Sequence, residues 1–106
     1  MSEAAPATPV PSATILMLRQ TEDGLEVFMV VRHHQIDFAS GALVFPGGKA
    51  DAQDFDDALL PYLTGQADDA NMRAIQVCAI REAFEECGIL LAYDVSGEMV
   101  LSLIHI

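Results

Sequence analysis

The chain has 106 residues, with 16 Asp and Glu against 5 Lys and Arg, a net charge of −11 and two cysteines. That length allows one domain at most, able to bury somewhat over about 60% of its unfolded surface, and that charge disfavours nucleic acid or an anionic membrane surface as a bulk partner. No run of 18 apolar residues occurs, and the opening MSEAAPATPVPSA has acid and proline where a secretory leader has a basic region and an apolar core, so neither a membrane span nor a signal peptide is predicted.

In chain order, residues 1–12, rich in Ala and Pro, are expected to form a disordered lead to a domain over 13–100. Ala13–Arg19 and Leu25–Arg32 read as strands joined by a turn over Thr21–Gly24, where Asp23 and Gly24 favour a hairpin. His33 and His34 follow. A histidine pair can ligate a metal, but with no third ligand nearby these two read as loop residues near the mouth of a site. Ala42–Phe45 is a third strand that stops at Pro46, and Gly47 with Gly48 reads as a turn using backbone conformations closed to other residues and admitting a ligand closely.

Residues 54–63 are expected to start a helix capped by Asp54 and interrupted at Pro61, and 65–71 to form a polar loop. A longer helix is predicted from about Ala70 to Cys87, ended by Gly88 in a left-handed conformation. Ile89–Tyr93 reads as a strand and Asp94–Gly97 as a turn. Cys78 and Cys87 are nine positions apart, without metal-site spacing, and are expected to be reduced packing residues of a cytoplasmic protein.

The long helix carries the most informative segment, REAFEECG, from Arg81 to Gly88. At about 100° per residue, Glu82, Glu85 and Glu86 share one face. Three like charges so close repel, and a hard divalent cation would turn that repulsion into oxygen ligation. Arg81 stands four residues before Glu85, close enough to orient its carboxylate. Val77, Ile80, Ala83, Phe84 and Cys87 fill the opposite arc, which predicts that this side packs on a core. Taken alone, an E-x-x-E-E pattern is also what a solvated acidic helix face looks like. A Pro-Gly-Gly segment alone is an ordinary turn. Their combination, GALVFPGGKAD followed by REAFEECG, is more specific than either.

Together these segments resemble the signature of the Nudix hydrolases: a glycine, five residues, Glu, seven residues, then R-E-apolar-x-E-E-x-G-apolar. Arg81, Glu82, Ala83, Glu85, Glu86, Gly88 and Ile89 fill the second half, and Gly48 suits the opening glycine. The first half departs from the pattern. Asp54 stands where the family has Glu, and residues 55–80 separate it from Arg81, nineteen more than the usual seven, an insertion placed at about 55–72. Lengthening a loop costs little, about 0.6 kcal/mol per doubling, so the signature can assemble around it. The role of Asp54 is left open. RHHQIDFASGALVFPGGKAD and IREAFEECGILLA look most like the bacterial relatives of acyl-coenzyme A diphosphatases, which carry such an insertion.

The resemblance implies an α/β (α+β) fold, a mixed sheet sandwiched between helices. It also implies hydrolysis of a nucleoside diphosphate linked to another group, a small-molecule diphosphate substrate, with Mg²⁺ or Mn²⁺ as cofactor. Carried onto this sequence, it gives Glu82, Glu85, Glu86 and the Gly48 carbonyl as metal ligands, and Glu82, Glu85 and Arg81 as the catalytic group. Gly47, Lys49 and Arg32 are the candidate substrate contacts. The alternatives are a binding module that holds a diphosphate without cleaving it, or an inactive truncated fragment. Such a fold needs further strands and a helix after Gly88, where about 18 residues remain. The sequence is therefore expected to be an N-terminal part, with Leu101–Ile106 a non-native tail rather than the end of an apolar strand over Met99–Ile106. The pattern leaves the oligomeric state open.

Overall fold

The computed structural model describes residues 8–31 and 41–100. Arg32, His33 and His34, the first seven residues of the lead and Leu101–Ile106 lie outside the described residues. Among the described residues the elements are mixed α and β: four antiparallel strand pairs, two 3₁₀ segments and one long α-helix.

The first predicted strand is two. β1 (Ser12–Thr14) and β2 (Leu18–Thr21) are separated at Ile15–Met17, where the chain changes partner. β2 pairs with β3 (Gly24–Val27) in the expected hairpin, closed by Glu22 and Asp23. Thr21 Oγ1 accepts from the Asp23 amide at 3.2 Å and donates to the Gly24 carbonyl at 2.9 Å. Gly24 takes φ +122°, a conformation that side chains rarely adopt. β4 (Val30–Val31) pairs with β5 (Leu43–Val44), inside the predicted third strand.

Pro46-Gly47-Gly48 does not turn. Gly47–Lys49 form β6, antiparallel to β1, and neither glycine has positive φ. What requires glycine at 47 is space, because a Cβ there would overlap the Ala13 carbonyl of β1. Pro46, fully buried, precedes the strand where its missing N–H costs nothing, and its carbonyl accepts from the Ile15 amide at 2.9 Å.

The helix expected over 54–63 is replaced by two 3₁₀ segments, Ala52–Phe55 and Asp57–Tyr62. Asp51 caps the first, accepting from the Ala52 amide at 2.9 Å, and Asp54 is its third residue, closing a capping box by accepting from the Asp51 amide at 2.8 Å. Asp56 caps the second, and Pro61, with no N–H to give, lies inside it.

α1 (Ala70–Cys87) has the predicted bounds. Asp69 caps it by accepting from the Met72 amide at 2.8 Å, and Gly88 ends it at φ 70°, its amide on the Phe84 carbonyl at 2.9 Å. The packed face differs from expectation. Ala74 and Cys78, on the side that meets β1 and β6, are buried, whereas Phe84 of the apolar arc is 41% exposed and only Ala83 of that arc is buried. Ala13 and Gly48 form the opposing strand surface, and residues that small let the helix approach closely. The tight core therefore lies beneath the side of α1 that carries Glu82, which is one turn beyond Cys78. After the helix the predicted strand contracts to β7 (Ala92–Tyr93), paired with β8 (Met99–Val100) across an Asp94 turn.

Candidate active site

Three local structures converge here: strand β6, the capped 3₁₀ segment after it, and the C-terminal half of α1. Register determines where the backbone groups of β6 point. Ile15 N–H donates to Pro46 O at 2.9 Å and Ala50 N–H to Pro11 O at 2.8 Å. In the antiparallel alternation these bonds make Ala13 and Gly48 the hydrogen-bonded pair, and Thr14–Gly47 and Ser12–Lys49 the non-bonded pairs. The Gly48 carbonyl thus faces Ala13, and it also accepts the Cys78 thiol at 3.4 Å. Burial, with the carboxylates of Asp54 and Glu82, pushes the Cys78 pKa up and keeps the thiol protonated as a donor. With both lone pairs engaged, the Gly48 carbonyl, expected as a metal ligand, is not presented to the site. The amide and carbonyl of Gly47 and Lys49 point the other way.

Gly48 matters instead for the side chain it lacks. A Cβ there would overlap the carboxylate of Glu82, so the glutamate lies directly on the strand backbone. Glu86, one turn later, has its carboxylate by the Gly47 amide. Partial desolvation pushes the Glu86 pKa up, and the charges of Glu82 and Glu85 push the same way against the pull of that amide.

Arg81 is the hub. Nε and Nη2 donate to Asp54 Oδ1 and Oδ2 at 2.9 and 3.0 Å, a two-point clamp on a carboxylate whose side chain is 1% exposed. Nη2 also reaches the Lys49 carbonyl at 3.2 Å, and Nη1 donates to Glu82 Oε2 at 2.8 Å and Glu85 Oε2 at 3.2 Å. The guanidinium holds the Asp54 pKa below the usual carboxylate range, and Asp54 in return raises that of Arg81. Asp54, whose role the sequence left open, is the buried anchor of this network. The capping-box pattern D-x-x-D at 51–54 was the available signal for its place.

Gly47, Gly48, Lys49, Arg81, Glu82, Glu85 and Glu86 are thus brought together. The Lys49 side chain is exposed, with its backbone doing the bonding, and Arg32 lies outside the described residues. A cleft of about 130 Å³ lined by Leu63, Arg73, Gln76, Val77 and Ile80 lies on the other side of α1 from Glu82 and does not belong to this site.

The donor chemistry suits a hard divalent ion: the Glu82 carboxylate lies on the glycine strand, Glu86 follows one turn later, and the Gly47 carbonyl points away from β1. Among the described residues no group of three His, Cys, Asp or Glu side chains is arranged to hold a metal. The third carboxylate, Glu85, is turned to Arg81.

No protein-family model and no curated protein matches the chain. Among solved structures it is similar to a Nudix hydrolase from Alicyclobacillus acidocaldarius, at 33% identity and a TM-score of 0.73, over 91% of this chain. The shared part has a Nudix fold. The chain spans 45% of that protein's length. In this fold the REAFEECG helix lies over the glycine strand, so the two segments that resemble the Nudix signature are adjacent. Among the described residues no helix is long and apolar enough to cross a membrane.

Proposed function

We propose that the chain is a Nudix hydrolase that uses Mg²⁺ or Mn²⁺ to split the pyrophosphate linkage of a nucleoside diphosphate joined to another group. Coenzyme A or an acyl-coenzyme A is the favoured substrate, because the box insertion and its flanking segments resemble that branch, and a cytoplasmic location accords with such a substrate. The single observation that carries the reading is the Glu82 carboxylate lying on the backbone of Gly48, in the space a Cβ would fill, with Glu85 and Glu86 following on the same helix.

In this reading Glu82, Glu85 and Glu86 would hold the ion, with the outward carbonyl of Gly47, rather than that of Gly48, as the backbone ligand. Bound there, a divalent ion supplies neutralisation of the phosphate charge and activation of water. The chain's own residues do the rest. Glu82 accepts the proton of the attacking water, Arg81 fixes the carboxylate of Glu82, and the Gly47 backbone with the Lys49 and Arg32 side chains orients the anionic diphosphate.

The test is hydrolysis of coenzyme A with Mg²⁺ by the parent and by Glu85→Gln. A loss of at least about 100-fold is expected for removal of a ligand, whereas activity within a few fold of the parent contradicts the assignment. A diphosphate-binding module without catalysis predicts instead that both proteins bind and neither cleaves.

A further inference from the structure

Resting on that reading, we infer that Arg81 is an internal counter-ion that competes with the divalent cation for Glu85, and that Asp54 is the positioning residue that limits this competition. Nη1 lies 2.8 Å from Glu82 Oε2 and 3.2 Å from Glu85 Oε2, so one guanidinium nitrogen satisfies two of the three carboxylates intended for the ion. The opposite edge, Nε and Nη2, is clamped by Asp54. Asp54 is itself fixed, since Oδ2 also accepts from the Asp51 amide at 2.8 Å and its side chain is 1% exposed. A guanidinium held along one edge can offer the glutamates only its remaining nitrogen. Released from Asp54, it would turn its two-point edge to Glu85, whose side chain is 55% exposed and free to meet it. The nineteen-residue insertion and the shorter Asp are accommodated because the capping box places Asp54 within reach of Arg81.

Competition and simple structural support predict different double variants. Mn²⁺ binding to the whole chain is measured by electron paramagnetic resonance, with thermal melting to verify folding. Asp54→Asn is expected to weaken Mn²⁺ binding roughly tenfold or more, Asp54→Glu to stay within about threefold of wild type, and Asp57→Asn, removing the same charge from the next 3₁₀ segment, to change little. The deciding variant is Asp54→Asn with Arg81→Gln: if Arg81 competes, affinity recovers; if Asp54 merely supports the fold, the double variant binds no better than Asp54→Asn, and the inference is overturned. Wild-type binding with Asp54→Asn unchanged also overturns it. Absence of Mn²⁺ binding by the wild type rejects the proposed function and this inference together. Should Asp54→Asn not fold, the Arg81 Nε–H is followed by NMR during Mg²⁺ titration of the wild type. Slow exchange retained in the loaded protein supports the clamp, and fast exchange refutes it.

Discussion

Two adjacent glycines are required for different reasons, and the difference can be measured. A Cβ at Gly47 would meet the Ala13 carbonyl and come within 3.0 Å of Thr14 Cα, both backbone atoms of a paired strand. Gly47→Ala is therefore expected to lower stability by about 1–3 kcal/mol in urea unfolding. The atoms nearest a Cβ at Gly48 all belong to the Glu82 side chain, which can swing away. Gly48→Ala is expected to lower its urea midpoint less than Gly47→Ala does while losing Mn²⁺ affinity by at least about tenfold. The sequence made both glycines visible as a close-approach site but not these reasons, which depend on β1 lying opposite Gly47 and Glu82 of α1 lying over Gly48, each more than thirty residues away in the chain. Asp54 gives the pH prediction. Its pKa is depressed in the folded protein, so the stabilisation it contributes is fully present above its unfolded value of about 3.9 and is lost as pH falls through the lower folded value. The urea midpoint should fall steeply below about pH 4, and less so in Asp54→Asn, where that group is absent. Equal slopes would show that Asp54 is not the titrating anchor.

At the level of elements, α1 was the most legible because its signals are local. Eighteen residues of helical pattern, an aspartate before and a glycine after, need no distant partner to be read. Gly88→Ala is expected to cost about 1–2 kcal/mol, since its φ of 70° lies in the left-handed region, and Asp69→Ala about 1 kcal/mol from the lost cap; thermal melting of each variant measures both. The hairpin was legible for the same reason. The strand at Gly47–Lys49 was not, because its pairing with Ser12–Thr14 is long-range and its composition is that of a turn. The hydrophobic arc of α1 does not mark its most tightly packed face. Small residues, Ala13, Gly48, Ala74 and Cys78, set the close contact instead, and they contribute little to a hydrophobicity pattern.

Across the described molecule, much apolar surface faces outward. Leu18, Leu25 and Val27 share one face of the hairpin at 59, 65 and 40% exposure, while Arg19 and Glu26 pair on the other. Leu43, Val31 and Phe84 are exposed as well. The similar Nudix hydrolase is more than twice as long as the part matched here, and a Nudix fold of that length has more chain with which to cover such faces. The 106-residue chain is accordingly expected to bind an apolar dye in native buffer and to associate as its concentration rises, more strongly in salt that screens its charge of −11. Leu18→Thr with Leu25→Thr should reduce both signals, as light scattering and dye fluorescence would report.

The proposed chemistry depends most on whether the face of α1 over the glycine strand takes up a hard cation. The most direct measurement is calorimetric titration of Mn²⁺ into the whole chain, alongside Glu82→Gln with Glu86→Gln. One ion per chain, lost in the double variant, is the predicted result. No uptake by the wild type, or uptake that survives removal of both carboxylates, contradicts it.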